Sequence, residues 1–225
     1  MAGVLYGIGI GPGDPELMTL KAVRLIREMD IIAAPGEDVS RTTAYTIALQ
    51  AVPEMTEKET LPIPMPMVMD RAVIEESHRK GAAEIAGKLA EGKNVGFITL
   101  GDPTVYSTFS YIEKIVREMG YRTVYVSGIP SFCAAAAAMG IPLVEWQESL
   151  HIIPAIHRPE KTIGDDGNYV FMKSGRKISK VKEILKEGGK NAVMVENCGM
   201  PDEKRYYSVD EMPDDSGYFA LIIAK

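Results

Sequence analysis

Three segments of this 225-residue chain combine glycine, proline, aspartate and hydroxyl residues at spacings that suit a ligand. The first is Gly7-Ile8-Gly9-Ile10-Gly11-Pro12-Gly13-Asp14-Pro15. Its glycines let the backbone come close to a bound molecule and Pro12 fixes a wall beside it, as in a pocket rim; a tight surface turn is the alternative. A dinucleotide fingerprint fails on spacing. In G-x-G-x-x-G the third glycine falls at Pro12 counted from Gly7 and at Asp14 counted from Gly9. The second segment, Leu100-Gly101-Asp102-Pro103-Thr104-Val105-Tyr106, sets a carboxylate beside a glycine. A carboxylate there can take a proton or offset a positive charge. Equally, Asp102 followed by Pro103 has the residue types of a helix cap. The third, Val126-Ser127-Gly128-Ile129-Pro130-Ser131-Phe132, runs into the alanines 134 to 138. Ser131 is a natural cap for that small-residue helix, which a flat ligand or a neighbouring element could approach closely.

Other chemistries lack their residues. His78, His151 and His157 form no H-x-x-x-H pair, and Cys133 and Cys198 form no C-x-x-C pair, so neither a protein-held metal nor a disulfide framework is expected. The formal charge of −6 with scattered Lys and Arg excludes a surface built for many phosphates, hence no nucleic-acid partner.

Each segment follows an apolar run that reads as a strand. Val4 to Ile10 ends in glycines, Thr19 caps a helix with Leu20, Val23 and Ile26 at helical spacing, and Ile31 to Ala34 is the next run. Residues 71 to 91 place Val73, Ile74, His78, Ala82, Ile85 and Leu89 on one helical face before Val95 to Leu100. Phe109, Ile112, Ile115, Val116 and Met119 follow, stopped by Gly120, before Thr123 to Val126. About five strands separated by helices make residues 1–125 a parallel α/β domain whose crevice lies beyond the carboxyl ends of the strands. Residues 126–225 read differently, as a mixed-sheet domain. Apolar runs at 150–153, 168–172, 191–195 and 218–223 surround one helix bearing Ile178, Val181, Ile184 and Leu185, and residues 155–168 form a long connection.

With 46% hydrophobic and 25% charged residues, the composition is that of a globular chain with a full core and no membrane span. Met1 to Tyr6 lack the marks of a secretory signal, so a cytoplasmic protein is expected.

Taken in order, the three segments resemble the tetrapyrrole (uroporphyrin and corrin) methylases, which carry Gly-x-Gly-x-Gly-x-Asp at the N-terminus, Gly-Asp-Pro-x-x-Tyr after the fourth strand and Gly-(Ile/Val)-x-Ser after the fifth. Pro12 to Ala22, Thr99 to Phe109 and Leu150 to Ala155 are most similar to the C(20)-methyltransferase branch of cobalamin synthesis. The resemblance implies a two-domain fold holding S-adenosylmethionine in a cleft, a homodimer, and methyl transfer to C(20) of precorrin-2 or its cobalt-containing counterpart. Within it, Pro12 would flank the adenosyl group, Gly101, Asp102, Val105 and Tyr106 would line the methionine end, and Ser131 and Phe132 would touch the cofactor. Met172 and Cys198 would close the adenine side. Asp102 is then the candidate catalytic base or electrostatic partner. Ser127 and Pro130 depart from the family's Pro and Thr/Ser, which removes a hydroxyl contact at 130. The substrate's carboxylates need local cations, with Arg41, Arg71, His157, Arg158 and Arg176 as candidates. The alternatives are a sibling corrin-ring methyltransferase, diphthine synthase, or a nucleotide-binding module without chemistry.

Overall fold

Short runs of branched and small apolar residues become the first five strands: β1 (Val4–Gly9), β2 (Ile31–Pro35), β3 (Glu59–Ile63), β4 (Val95–Thr99) and β5 (Arg122–Val126). The computed structural model describes residues 1–66, 68, 70–154 and 166–225, with Arg176 described by its backbone alone, and the chain divides into Met1–Pro130 and Ser131–Lys225. In the first unit the strand order is β3-β2-β4-β1-β5 and every neighbouring pair is parallel. Helices α1 (Leu20–Glu28), α2 (Thr43–Ala51), α3 (Arg71–Ala90) and α4 (Phe109–Glu118) join them. Thr19, Thr42 and Asp70 cap the first three by accepting from backbone N–H groups.

Parallel strands covered on both faces are largely apolar, and the inner strands β1, β2 and β4 are. Leu5, Ile31, Ala33, Ile63 and Phe97 pack with Ile85 and Leu89 of α3 and with Phe109, Ile112 and Val116 of α4. The alternate residues Ile8, Ile32, Ala34 and Ile98 are equally buried on the other face. Behind α4's apolar stripe, the buried Glu113 carboxylate accepts from Thr123 Oγ1 at 2.7 Å and Arg117 Nε at 3.0 Å, tying the helix to β5.

Two helical faces differ from their expected placement. Leu20 is 90% exposed, and α1 buries Ala22, Leu25, Ile26 and then Met29. Those four also have i, i+3, i+4, i+7 spacing, so periodicity alone admitted both stripes. In α3 burial begins at Gly81; Val73 is exposed, and His78 stacks on Tyr111 of α4 with ring centroids 5.0 Å apart. Strand β3 escaped the apolar pattern because Glu59 and Pro62 interrupt it; as an edge strand it can lack the proline N–H.

The second unit begins with α5 (Ser131–Met139) and contains β6 (Leu150–Pro154), β7 (Asn168–Met172), α6 (Ile178–Glu187), β8 (Ala192–Glu196), β9 (Lys204–Tyr206) and β10 (Ala220–Ala224). Its sheet, ordered β6-β7-β10-β8-β9, is mixed: β6 and β7 are parallel and the other pairs antiparallel. Ile178, Val181 and Leu185 of α6 pack on Tyr169, Phe171, Met194 and Ile222. Of the expected connection at 155–168, residues 155–165 lie outside the described residues. No described helix is long and apolar enough to cross a membrane.

At the carboxyl edge of the first sheet, the loops after β1, β4 and β5 meet backbone to backbone. Gly101 N donates to Gly11 O at 2.7 Å, Gly11 N donates back to Gly101 O at 3.4 Å, and Ile10 N donates to Thr99 O at 3.0 Å. Gly101 has φ +67°, open to a residue without a side chain. A Cβ on Gly128 would lie 2.1 Å from Gly101 O and 2.8 Å from Gly9 C. Gly128→Ala therefore has to separate the loops, and overpacking of this kind costs about 1–3 kcal/mol. An unfolding free energy lowered by that amount, read from urea denaturation, is the expected result.

Candidate functional site

Strand order decides where a ligand can enter the first unit. β1 and β4 are neighbours, yet the chain leaves β1 toward β2 on one side and leaves β4 toward β5 on the other. Connections that part in this way open a crevice at the carboxyl ends, the usual ligand position in open α/β sheets. The Gly9–Gly13 and Gly101–Tyr106 loops both rise from this point. Pro12 is buried in the first of them.

Asp102 joins the β4 loop to the β5 loop. Its Oδ2 accepts from Gly128 N at 3.0 Å, while Oδ1 accepts from Thr104 N at 2.8 Å and from the Thr104 hydroxyl. The residue is 8% exposed. A buried carboxylate is tolerable when donors satisfy both oxygens, as here. The structure corrects the expected helix cap: α4 begins only at Phe109, and the hydroxyl of Ser107, not Asp102, accepts from Phe109 N at 3.2 Å. Asp102 instead closes an Asx-type turn through Thr104 and pins a loop 26 residues away. Beyond it, Val105 is half-buried and Tyr106, at φ 46°, holds a left-handed conformation with its side chain exposed. Pro12, Gly101, Asp102, Val105 and Tyr106 thus belong to one group of loops in the first unit. Sequence reasoning passed over Thr99 and Ser107, whose hydroxyls lie 3.0 Å apart at the base of the β4 loop. Their signal is weak, because isolated hydroxyl residues are common at strand ends and helix starts.

In the second unit, Ser131 is the first residue of α5 and Phe132 is buried behind it, with α5 packed on β8 and β10. β7 and β8 both run antiparallel to β10, so they end at the same edge. Met172 closes β7, level with Val195 of β8 across the intervening β10, and Cys198 lies two residues past the end of β8. Left-handed Lys173 (φ 58°) and Asn197 (φ 50°) turn the chain sharply at these ends. Burial, reinforced by the neighbouring Glu203 carboxylate, pushes the Cys198 thiol up to about 11. Glu203 in turn accepts from Gly199 N at 2.7 Å and from Arg205.

Of the candidate cations, Arg41 and Arg71 are exposed and pair with Asp38 and Glu75 on their own elements, at 3.4 and 2.7 Å. His157, Arg158 and the side chain of Arg176 lie outside the described residues. Among the described residues, no three His, Cys, Asp or Glu side chains gather where a metal ion could sit.

Known proteins share this architecture and its sequence. A cobalt-precorrin-2 C(20)-methyltransferase of Salmonella typhimurium is 31% identical, over 99% of this chain and 96% of its own length. A probable cobalt-precorrin-2 C(20)-methyltransferase of Methanocaldococcus jannaschii is 34% identical, over 98% of this chain and 95% of its own. The crystal structure of the uroporphyrin-III C-methyltransferase of Thermus thermophilus complexed with S-adenosylhomocysteine superposes with a TM-score of 0.74 at 22% identity. That match covers 99% of this chain and 97% of the other, and it shows a shared fold. The model of the tetrapyrrole (corrin/porphyrin) methylases matches residues 4–212, taking in the three joined loops as well as the strand ends of the second unit, and the chain belongs to that family.

Proposed function

We propose that this protein is an S-adenosylmethionine-dependent methyltransferase of cobalamin biosynthesis that methylates C(20) of cobalt-factor II or cobalt-precorrin-2, with metal-free precorrin-2 as the alternative substrate. Near-full-length likeness to two cobalt-precorrin-2 C(20)-methyltransferases carries the reading, and both of their names specify the cobalt form. Cobalt then arrives inside the substrate. Within this reading the enzyme is a cytoplasmic homodimer.

The loops fit the cofactor. Where Gly9, Gly101 and Gly128 meet, a Cβ on Gly9 or Gly128 would strike backbone, so the three chains pass at the closest approach glycine allows. The buried Asp102 carboxylate supplies negative charge suited to a sulfonium. When bound, S-adenosylmethionine supplies an electrophilic methyl group, so the protein's task is mostly alignment and exclusion of water. Pro12 and the glycine backbones would flank the adenosyl group, and Val105 and Tyr106 the methionine end. Ser131, Phe132, Met172 and Cys198 complete the proposed cofactor contacts. Both oxygens of Asp102 accept hydrogen bonds, which favours a role as a fixed charge and loop holder over that of proton acceptor.

Calorimetric titration with S-adenosylhomocysteine should show binding, and incubation with S-adenosylmethionine and the cobalt-loaded substrate should add the mass of one CH2. Methylation of the metal-free substrate alone would transfer the assignment to precorrin-2, and binding with neither methylated would point to a sibling substrate. Asp102→Asn turns one acceptor oxygen into a donor facing an N–H, which should weaken S-adenosylhomocysteine binding about tenfold while single-turnover rates at saturating cofactor stay within about threefold. A collapse of that rate at saturation would make Asp102 the base instead. The raised thiol of Cys198 stays neutral across physiological pH, so its alkylation should be slow at pH 8 and accelerate up to about 11. Bound S-adenosylhomocysteine should slow it further, with exposed Cys133 unaffected. Peptide-resolved mass spectrometry reads both sites, and equal Cys198 labelling with and without the ligand would remove Cys198 from the cofactor pocket.

A further inference from the structure

Asp102 ties the front of the β4–α4 loop, and a second contact ties its back. Thr99, the last residue of β4, and Ser107, just before α4, bring their hydroxyls within 3.0 Å of each other. Ser107 Oγ also accepts from Phe109 N at 3.2 Å, and Ser107 is 7% exposed. A hydroxyl has one donor and two acceptor positions, so Ser107 can serve the amide and Thr99 together. The pair therefore spans the two ends of the loop, eight residues apart in sequence.

Between the two ties the chain passes through Tyr106 at φ 46°. A side-chain-bearing residue resists that region, and it stays there only where the surroundings over-determine its backbone. On one side, Val105 N donates to Asp102 O at 3.2 Å and Asp102 is pinned to Gly128. On the other side, Ser107 follows Tyr106 directly, so the Thr99–Ser107 bond bears on the backbone immediately after the left-handed residue. Helix α4 has anchoring of its own besides that bond, since Phe109, Ile112, Glu113 and Val116 are buried.

We propose that Thr99 and Ser107 are positioning residues for cofactor binding: their hydroxyl pair holds the left-handed turn at Tyr106 and so presents Val105 and Tyr106 to S-adenosylmethionine. The inference rests on the function proposed above. Neither hydroxyl takes part in the reaction itself. Loss of the pair lets Tyr106 relax toward a right-handed backbone, and the cofactor must then restore the strained turn when it binds.

The test is a double-mutant cycle on the full chain, read by calorimetry with S-adenosylhomocysteine. Thr99→Val and Ser107→Ala should each raise Kd about five- to tenfold, and the double variant should be no weaker than Ser107→Ala alone, because that substitution already removes the bond to Thr99. Thr99→Ser, which keeps the hydroxyl, should bind like the wild type. Turnover at saturating S-adenosylmethionine should change by no more than about twofold in all four, since only binding bears the cost. Glu113→Gln serves as a control that loosens α4 behind the site, with Kd expected to be unchanged. Variants that lose stability yet bind as tightly as the wild type would reduce the pair to a structural contact and overturn the inference, as would additive losses in the double variant. Wild-type protein that fails to bind S-adenosylhomocysteine would overturn the proposed function as well. Wild-type binding with unaffected variants would remove this inference alone.

Discussion

The candidate site of the first unit depends on three strand-end loops supplying one another's hydrogen bonds. Loops that leave a parallel sheet at its carboxyl edge have backbone groups with no strand to pair with, and burying them unpaired would cost about 1–3 kcal/mol each. Here Gly11 and Gly101 exchange two bonds, and Asp102 accepts the N–H of Gly128. Segments about ninety and twenty-six residues apart become one rigid edge. The glycines follow from this contact. Backbones at this separation leave no room for a Cβ, so residue type at 9 and 128 is dictated by the approach of the chains as much as by any ligand.

The same edge is braced from beneath by aromatic packing. A Cβ on Gly7 would lie 2.2 Å from the ring of Phe109, so the first residue of α4 sits directly against β1. That ring meets Tyr125 edge-on at 5.0 Å and Phe97 at 5.6 Å. Such contacts contribute about 0.5–1.5 kcal/mol each beyond the area they bury. Helix α4 is thereby fixed to β1, β4 and β5 together, the three strands whose loops form the site. Burial and the Glu113 carboxylate hold the Tyr125 phenol in its neutral form at ordinary pH, consistent with its place as a donor to Glu113.

The second unit solves a different problem with a mixed sheet. Its central strand β10 is apolar and fully buried, and placing β7 and β8 antiparallel on either side brings two carboxyl ends to one edge, with α6 forming the crossover between them. Left-handed residues follow both strands, so the chain turns away at once and leaves Met172 and Cys198 at the edge. Such strain tends to persist where structure or function holds it in place.

Much of this was legible in the residues. The parallel first unit, its helices α1, α3 and α4, the apolar runs that became β6, β7, β8 and β10, and the three loop motifs follow from periodicity and turn chemistry, which are local properties. The stripe of α1 was misplaced because Ala22, Leu25, Ile26 and Met29 satisfy the helical spacing as well as Leu20, Val23 and Ile26 do, and only the surface packed against the helix chooses between them. β3 and the short β9 were missed because edge strands tolerate proline and charge. Sequence by itself determined that Asp102 is a loop carboxylate flanked by glycine and proline. That its oxygens reach Thr104 and Gly128 rather than α4, and that Thr99 meets Ser107 across the loop, was decided by tertiary structure alone, because hydrogen bonds between segments depend on where the strands bring their ends and no local spacing encodes that distance.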